Sequence, residues 1–234
     1  LGIEPYCVDT NGSSLDTVAA ICVEKISAKF EGKKAIAVGH SLGGMIAATA
    51  VKMAPSLFQG LVLCNARNRN MSDEERRNKT VFIKNLDQCH TEIDFQRLLK
   101  HAFFIRQDNL SPQDLELLIS EVKTVGLQTF RQQIQLNLEA KIPDYDEILN
   151  NMPITVIEGT RDNIIPAPGW EQLEAVSKKF PFAFKRVKKN GGHLSILKHP
   201  KDIADEIVLI SNQENKRLSE ERSTTCLPNL SQNK

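Results

Sequence analysis

The sequence predicts an α/β chain: a mostly parallel sheet flanked by helices and interrupted by an inserted helical cap. Three observations predict it. Ala35–Val38 is a continuous apolar run, and Leu61–Cys64 and Ile154–Ile157 read likewise as short strands buried on both faces. Helical spacing separates them with short links, which calls for crossover connections and parallel strands. Between the second and third runs, residues 66 to 150 carry four or five helical patterns and no convincing strand.

The elements follow in order. Ile3 to Val8 reads as a short strand ending in the turn cluster Asp9-Thr10-Asn11-Gly12. Leu15 to Phe30 has apolar residues at 15, 18, 19, 22, 23 and 26, a helical period closed by Gly32. Leu42 to Met53 is a second helix, stopped by Pro55. In the cap, Ser72-Asp73-Glu74-Glu75 opens a helix with a capping box. Ser111-Pro112 places an N-cap before a proline at the first helical position. Beyond Ile154–Ile157, a helix is expected from about Gly169 to Phe180, a strand over Phe182–Val187, and a last helix over Pro200–Ile210. After Ser211 the chain turns polar, and residues 212–234 are expected to form a disordered tail. The domain organisation is therefore 1–65 and 151–211 as two parts of one core, 66–150 as the cap, and 212–234 as the tail.

Composition excludes several function classes. The 234 residues are 41% hydrophobic and 25% charged, with 30 Lys+Arg against 29 Asp+Glu, a net charge of +1. Such a chain has no electrostatic footprint for nucleic acid or anionic membrane surfaces. No apolar run approaches the ~18 residues of a membrane span. Five cysteines at no CxxC spacing exclude a zinc site or a disulfide framework, and Cys7, Cys22 and Cys64 in apolar stretches read as buried, reduced thiols of a cytoplasmic protein.

The chemistry lies in Gly39-His40-Ser41-Leu42-Gly43-Gly44, a G-x-S-x-G pattern directly after a strand and before a helix. A serine at such a turn adopts a strained backbone that lifts its Oγ above the sheet edge. The flanking residues crowd each other, so Gly39 and Gly43 are both expected to be glycine or very small. The free N–H of Leu42 at the helix N-terminus is placed to stabilise an oxyanion. A nucleophilic serine needs a base and the base an orienting carboxylate. Asp162, in the turn after Ile154–Ile157, and His193, after Gly191-Gly192, follow in the order Ser, Asp, His. The competing readings are a turn former for Asp162 and a surface loop residue for His193. His40 is read as the variable position of the turn.

These residues resemble the α/β-hydrolase family. The resemblance rests on Gly39–Gly44, Pro153–Asp162 and Gly191-Gly192-His193-Leu194, extends over about residues 1 to 210, and is strongest toward small capped esterases of the pimeloyl-carrier-protein methyl ester esterase and 3-oxoadipate enol-lactonase type. It implies an α/β-hydrolase fold and a serine hydrolase acting on a carboxylic ester or thioester of a small acyl group, with Ser41 as nucleophile, His193 as base and Asp162 as its orienter. It implies no metal or organic cofactor. Lactonase, acyltransferase and noncatalytic binding protein are the alternatives. The partner is a small-molecule ester. The basic stretch Lys178–Lys189 reads as a solvated face or as a dock for an acidic carrier or substrate. Arg67 and Arg69 lie where a substrate carboxylate could be met, with salt pairing to Asp73, Glu74 or Glu75 the stronger expectation.

The resemblance also aligns Ile3–Val8 with the family's fourth strand. It implies three earlier strands, roughly 50 residues upstream of Leu1. Without them Ile3–Val8 must pair with Ala35–Val38 or leave a free edge, and the second oxyanion donor is missing. Such a chain is expected to be poorly stable and nearly inactive, because losing one donor costs ~2.7–4 kcal/mol of transition-state stabilisation.

Overall fold

A computed structural model describes residues 4–7, 12, 14–101, 111–162, 164–166 and 168–225. Among the described residues, four strands, β1 (Ala35–His40), β2 (Phe58–Cys64), β3 (Ile154–Gly159) and β4 (Phe184–Lys189), form one sheet in the order β1-β2-β3-β4. All three pairings are parallel. Their C-terminal ends therefore share one edge of the sheet.

Alternation along the strands divides the core in two. Leu61, Leu63, Ile154 and Val156 pack with α1 (Leu15–Lys29) and α2 (Leu42–Met53) on one face. Val62, Cys64 and Ile157 meet Ile203 and Ile210 of the C-terminal helix on the other. The α1 helix starts at Ser14, whose Oγ accepts from the Thr17 N–H.

Between β2 and β3 lie α3 (Asp73–Asp87), α4 (Glu92–His101), α5 (Pro112–Val125), α6 (Leu127–Glu139) and the short α7 (Tyr145–Leu149), with no strand among the described residues. The block has its own apolar cluster: Leu86, Phe95, Leu99, Ile119 and Val122, with Phe82 and Phe130 edge-to-face against it. Ser72 and Glu75 form the expected capping box on α3, and Pro112 opens α5. After β3 come α8 (Trp170–Val176), β4, the short α9 (Ser195–Lys198) and α10 (Pro200–Thr225). No described helix is long and apolar enough to cross a membrane.

Several expectations are corrected. Glu4–Cys7 has no regular structure, so the strand expected over Ile3–Val8 is not seen there; its ends lie outside the described residues, as does most of the turn cluster after it. Cys7 is exposed, while Cys22 and Cys64 are buried. β1 is not buried on both faces: Val38 is 43% exposed, and β2 is its only strand neighbour among the described residues. Strand β4 runs two residues later than expected. The chain does not leave helical structure at Ser211, because α10 continues to Thr225. That segment is poor in apolar residues but carries three Glu and two Arg beside single Gln, Lys and Leu residues, which have helical preference of their own; residues 226–234 lie outside the described set.

Three of the six cations of the basic stretch are paired. Arg186 is held by Glu158, Glu171 and Glu174, Lys185 pairs with Glu206, and Lys189 pairs with Asp202.

Candidate active site

The β1–α2 turn carries Ser41 at φ 52°, ψ −118°, in a region that L residues avoid. The Ser41 N–H is fixed by the Cys64 carbonyl at 2.9 Å, and its own carbonyl accepts from Gly44 N–H at 3.1 Å. The strain is therefore held by the adjoining strand and helix. A Cβ on Gly39 would run into the backbone of Gly43 and stand 2.6 Å from Gly44 Cα. A Cβ on Gly44 would stand 2.7 Å from Ala66 Cβ. A Cβ on Gly43 meets nothing within 4 Å. The expectation that crowding keeps Gly43 glycine or very small is thus corrected: its backbone is the obstacle, and its side-chain direction is open. Leu42 begins α2, where the N–H has no intrahelical acceptor.

The structure brings Ser41, His193 and Asp162 together at the sheet's C-terminal edge. Ser41 Oγ lies 2.9 Å from His193 Nε2. His193 Nδ1 lies 2.9 Å from Asp162 Oδ2. Asp162 accepts at Oδ1 from the Ile164 and Ile165 N–H groups, both at 2.9 Å, so its carboxylate can only receive from an imidazole N–H. That assigns Nδ1–H to His193 and leaves Nε2 free to accept from Ser41. Burial alone would raise the Asp162 pKa. The His193 bond, the backbone N–H groups and an Asn65 bond outweigh it and hold the carboxyl below its ordinary range.

Two further residues brace this chain and carried no role in the sequence reading. Asn65, at φ 47°, donates from Nδ2 to Asp162 Oδ2 at 3.0 Å and to the Gly192 carbonyl at 3.2 Å. Asparagine tolerates that backbone, so one residue ends β2 and ties the Asp162 loop to the His193 loop. The available signal was an asparagine directly after a buried strand. His40 donates from Nε2 to the His193 carbonyl at 2.7 Å, with the two rings 5.0 Å apart. Burial, then repulsion from His193, pushes its pKa down to about 4, so it is a neutral donor. The loops after β3 and β4 are stitched together by Thr160 N–H to Lys189 O and Arg161 N–H to Gly191 O. Gly159 has no room for a side chain against Gly191 and Gly192.

A cavity of about 10 Å³, room for about one water, adjoins Ser41. Met45, Arg67, Glu75, Lys79 and Asn137 are among its walls, so α3 and α6 of the helical block border the serine. Charged side chains reach into this cavity beside Met45, Met71, Ile164 and Ile165. A larger cavity of about 300 Å³ opens on Asn65 and Asp162 but not on Ser41. Arg69 pairs with Glu75 through two bonds of 2.7 and 2.8 Å, as expected. Arg67 does not follow: no carboxylate stands within ion-pair distance of it among the described residues. Among those residues, no cluster of His, Cys, Asp or Glu could hold a metal ion.

Comparison with known proteins agrees with the layout. A family described as the alpha/beta hydrolase fold matches residues 7–200. No curated protein matches the chain. A thermophilic esterase from Thermogutta terrifontis, solved with malate bound, is 19% identical with a TM-score of 0.58, covering 88% of this chain and 75% of its own. An esterase from Exiguobacterium antarcticum is 16% identical with a TM-score of 0.61, covering 86% and 75%. A bromoperoxidase from Bacillus anthracis is 15% identical with a TM-score of 0.60, covering 87% and 76%. At such identities the likeness establishes the fold.

Proposed function

The chain belongs to the α/β-hydrolase fold family, and from that membership we propose that it is a serine hydrolase of carboxylic esters or thioesters working through an acyl-enzyme. The observation that carries this reading is the unbroken hydrogen-bonded line from Asp162 through His193 to Ser41, with 2.9 Å at both links.

The steps follow from the atoms. Ser41 Oγ attacks the substrate carbonyl as His193 Nε2 takes the hydroxyl proton. The imidazolium so formed is stabilised by Asp162, which remains ionised. The oxyanion faces the Leu42 N–H at the start of α2. His193 then hands its proton to the leaving alcohol or thiol, and the acyl group stays on Ser41. Water enters, loses a proton to His193, and releases the acid. His40 and Asn65 are positioning residues: they hold the backbone and the carboxylate that aim the imidazole. The helical block over Ser41 acts as the cap that selects the substrate.

A fluorophosphonate probe tests the reading. Labelling is expected at Ser41, lost in Ser41→Ala and slowed on the order of 10⁴-fold by replacing His193. A folded protein that resists the probe and leaves 4-nitrophenyl esters intact would be a binding protein on a hydrolase fold.

A further inference from the structure

The cavity beside Ser41 has a chemical character that ester hydrolysis alone does not need. Arg67 follows β2 and is only 4% exposed, yet it has no carboxylate partner among the described residues. Its Nη2 donates to the Asn137 carbonyl at 3.0 Å, and its Nε has no hydrogen-bond acceptor among the described residues. A buried guanidinium with an orphaned N–H is expensive, since charged groups taken from water are normally paired. Lys79, one of the cavity walls together with Arg67 and Ser41, has no hydrogen bond or ion pair among the described residues either. The one acid in the wall, Glu75, is spent: it holds Arg69 through both oxygens and the Ser72 N–H at 2.7 Å. Two cations therefore face a small cavity with no carboxylate at ion-pair distance among the described residues, and Glu75 reaches them only through its longer-range field.

We infer that Arg67 and Lys79 receive a carboxylate of the substrate, so that the esters this protein hydrolyses carry a free acid group near the scissile bond. The inference rests on the hydrolase reading for its chemistry but on the cation pair for its evidence. A carboxylate would give Arg67 Nε the acceptor it lacks and give Lys79 a hydrogen-bonded counter-charge beyond the distant Glu75 and Asp162. Burial and the neighbouring Arg67 charge push the Lys79 pKa down to about 8, a state that a bound anion relieves. Because the cavity has room for about one water, the substrate must displace a side chain on entry. Lys79, a long charged wall residue that makes no hydrogen bond or ion pair among the described residues, is the one we expect to move aside.

Two measurements on the whole chain test this. Isothermal titration with glutarate, against neutral glutaramide, reads the site without turnover. Glutarate is expected to bind and glutaramide not, with affinity falling at least tenfold in both Arg67→Gln and Lys79→Gln. The second variant guards against misfolding, because Lys79 holds no bond that the fold uses. Turnover then places the acid group. Mono-4-nitrophenyl glutarate against 4-nitrophenyl pentanoate tests the acyl side, and 4-acetoxybenzoate against its methyl ester tests the leaving group. At least one acid is expected to exceed its neutral twin tenfold or more in kcat/KM, with the ratio near one in Lys79→Gln. Hydrolysis of the neutral esters without glutarate binding and without preference for either acid overturns the inference and leaves the hydrolase reading intact. Glutarate binding that depends on Arg67 and Lys79, with no turnover and no probe label at Ser41, supports the anion site and sinks the hydrolase reading.

Discussion

His40 sits beside the proposed nucleophile, yet its contact that matters is with a carbonyl 153 residues later in the chain. A neutral hydrogen bond of this kind is worth about 1 kcal/mol in stability. Its effect on rate is expected to be larger, because a catalytic group displaced by about 1 Å can lose on the order of a hundredfold. For His40→Ala we expect kcat to fall about 10- to 100-fold with KM little changed, and for His40→Gln, which keeps a donor, partial recovery. A purely structural role would instead lower the melting temperature of both variants and leave kcat per folded molecule unchanged. The depressed pKa adds a second readout. Between about 4 and the ordinary histidine value near 6.5, the unfolded chain binds the proton and the folded one does not. Stability therefore rises with pH across that window and is lost as pH falls through it. Thermal midpoints measured from pH 7 to pH 4.5 should drop less steeply in His40→Gln than in the parent, and parallel slopes would count against the assignment.

Among the elements, the β1–α2 turn was the most legible because its requirements are local. A strand, a small-residue turn and a helix occur within twenty residues, and Ser41 is read directly from them. Asp162 and His193 were legible through their places after later strands. Asn65, His40 and Arg67 were not, since their partners lie 70 to 153 positions away and no short pattern encodes them. The same turn separates two glycines that look equivalent in sequence. Gly39→Ala forces a Cβ into the backbone of Gly43, where neither side can yield, and is expected to destabilise the fold by several kcal/mol or prevent it, as overpacking against rigid groups does. Gly43→Ala meets open space and lies in a helix, where alanine is favoured by about 1 kcal/mol. It should melt at or above the parent temperature. Circular dichroism melts of the two variants decide this, and equal losses would mean that crowding at the turn is symmetric after all.

On the scale of the whole molecule, the two edges of the sheet are treated differently. Strand β4 carries Lys185, Arg186, Lys188 and Lys189, the charged kind of edge that resists pairing with other chains. Strand β1 is Ala35-Ile36-Ala37-Val38-Gly39-His40, with no proline and no lysine. Alternation puts Ile36 under the C-terminal helix with Val62 and Ile207, while Val38, two residues on, is 43% exposed. An apolar strand with one partner among the described residues is a template for a further strand, and its exposed valine adds an apolar contact. These 234 residues expressed on their own are therefore expected to self-associate through β1 as their concentration rises. Val38→Lys places a charge on that strand without touching Ser41, and residues at an exposed strand position change stability by only a few tenths to about 1 kcal/mol. It should shift the onset of light scattering to several-fold higher concentration, with an unchanged far-ultraviolet spectrum and unchanged labelling of Ser41. A Lys185→Val change on the guarded edge should act in the opposite direction. If Val38→Lys scatters at the same concentration as the parent, β1 is not the associating edge, and the contrast between the two strands has no consequence for solubility.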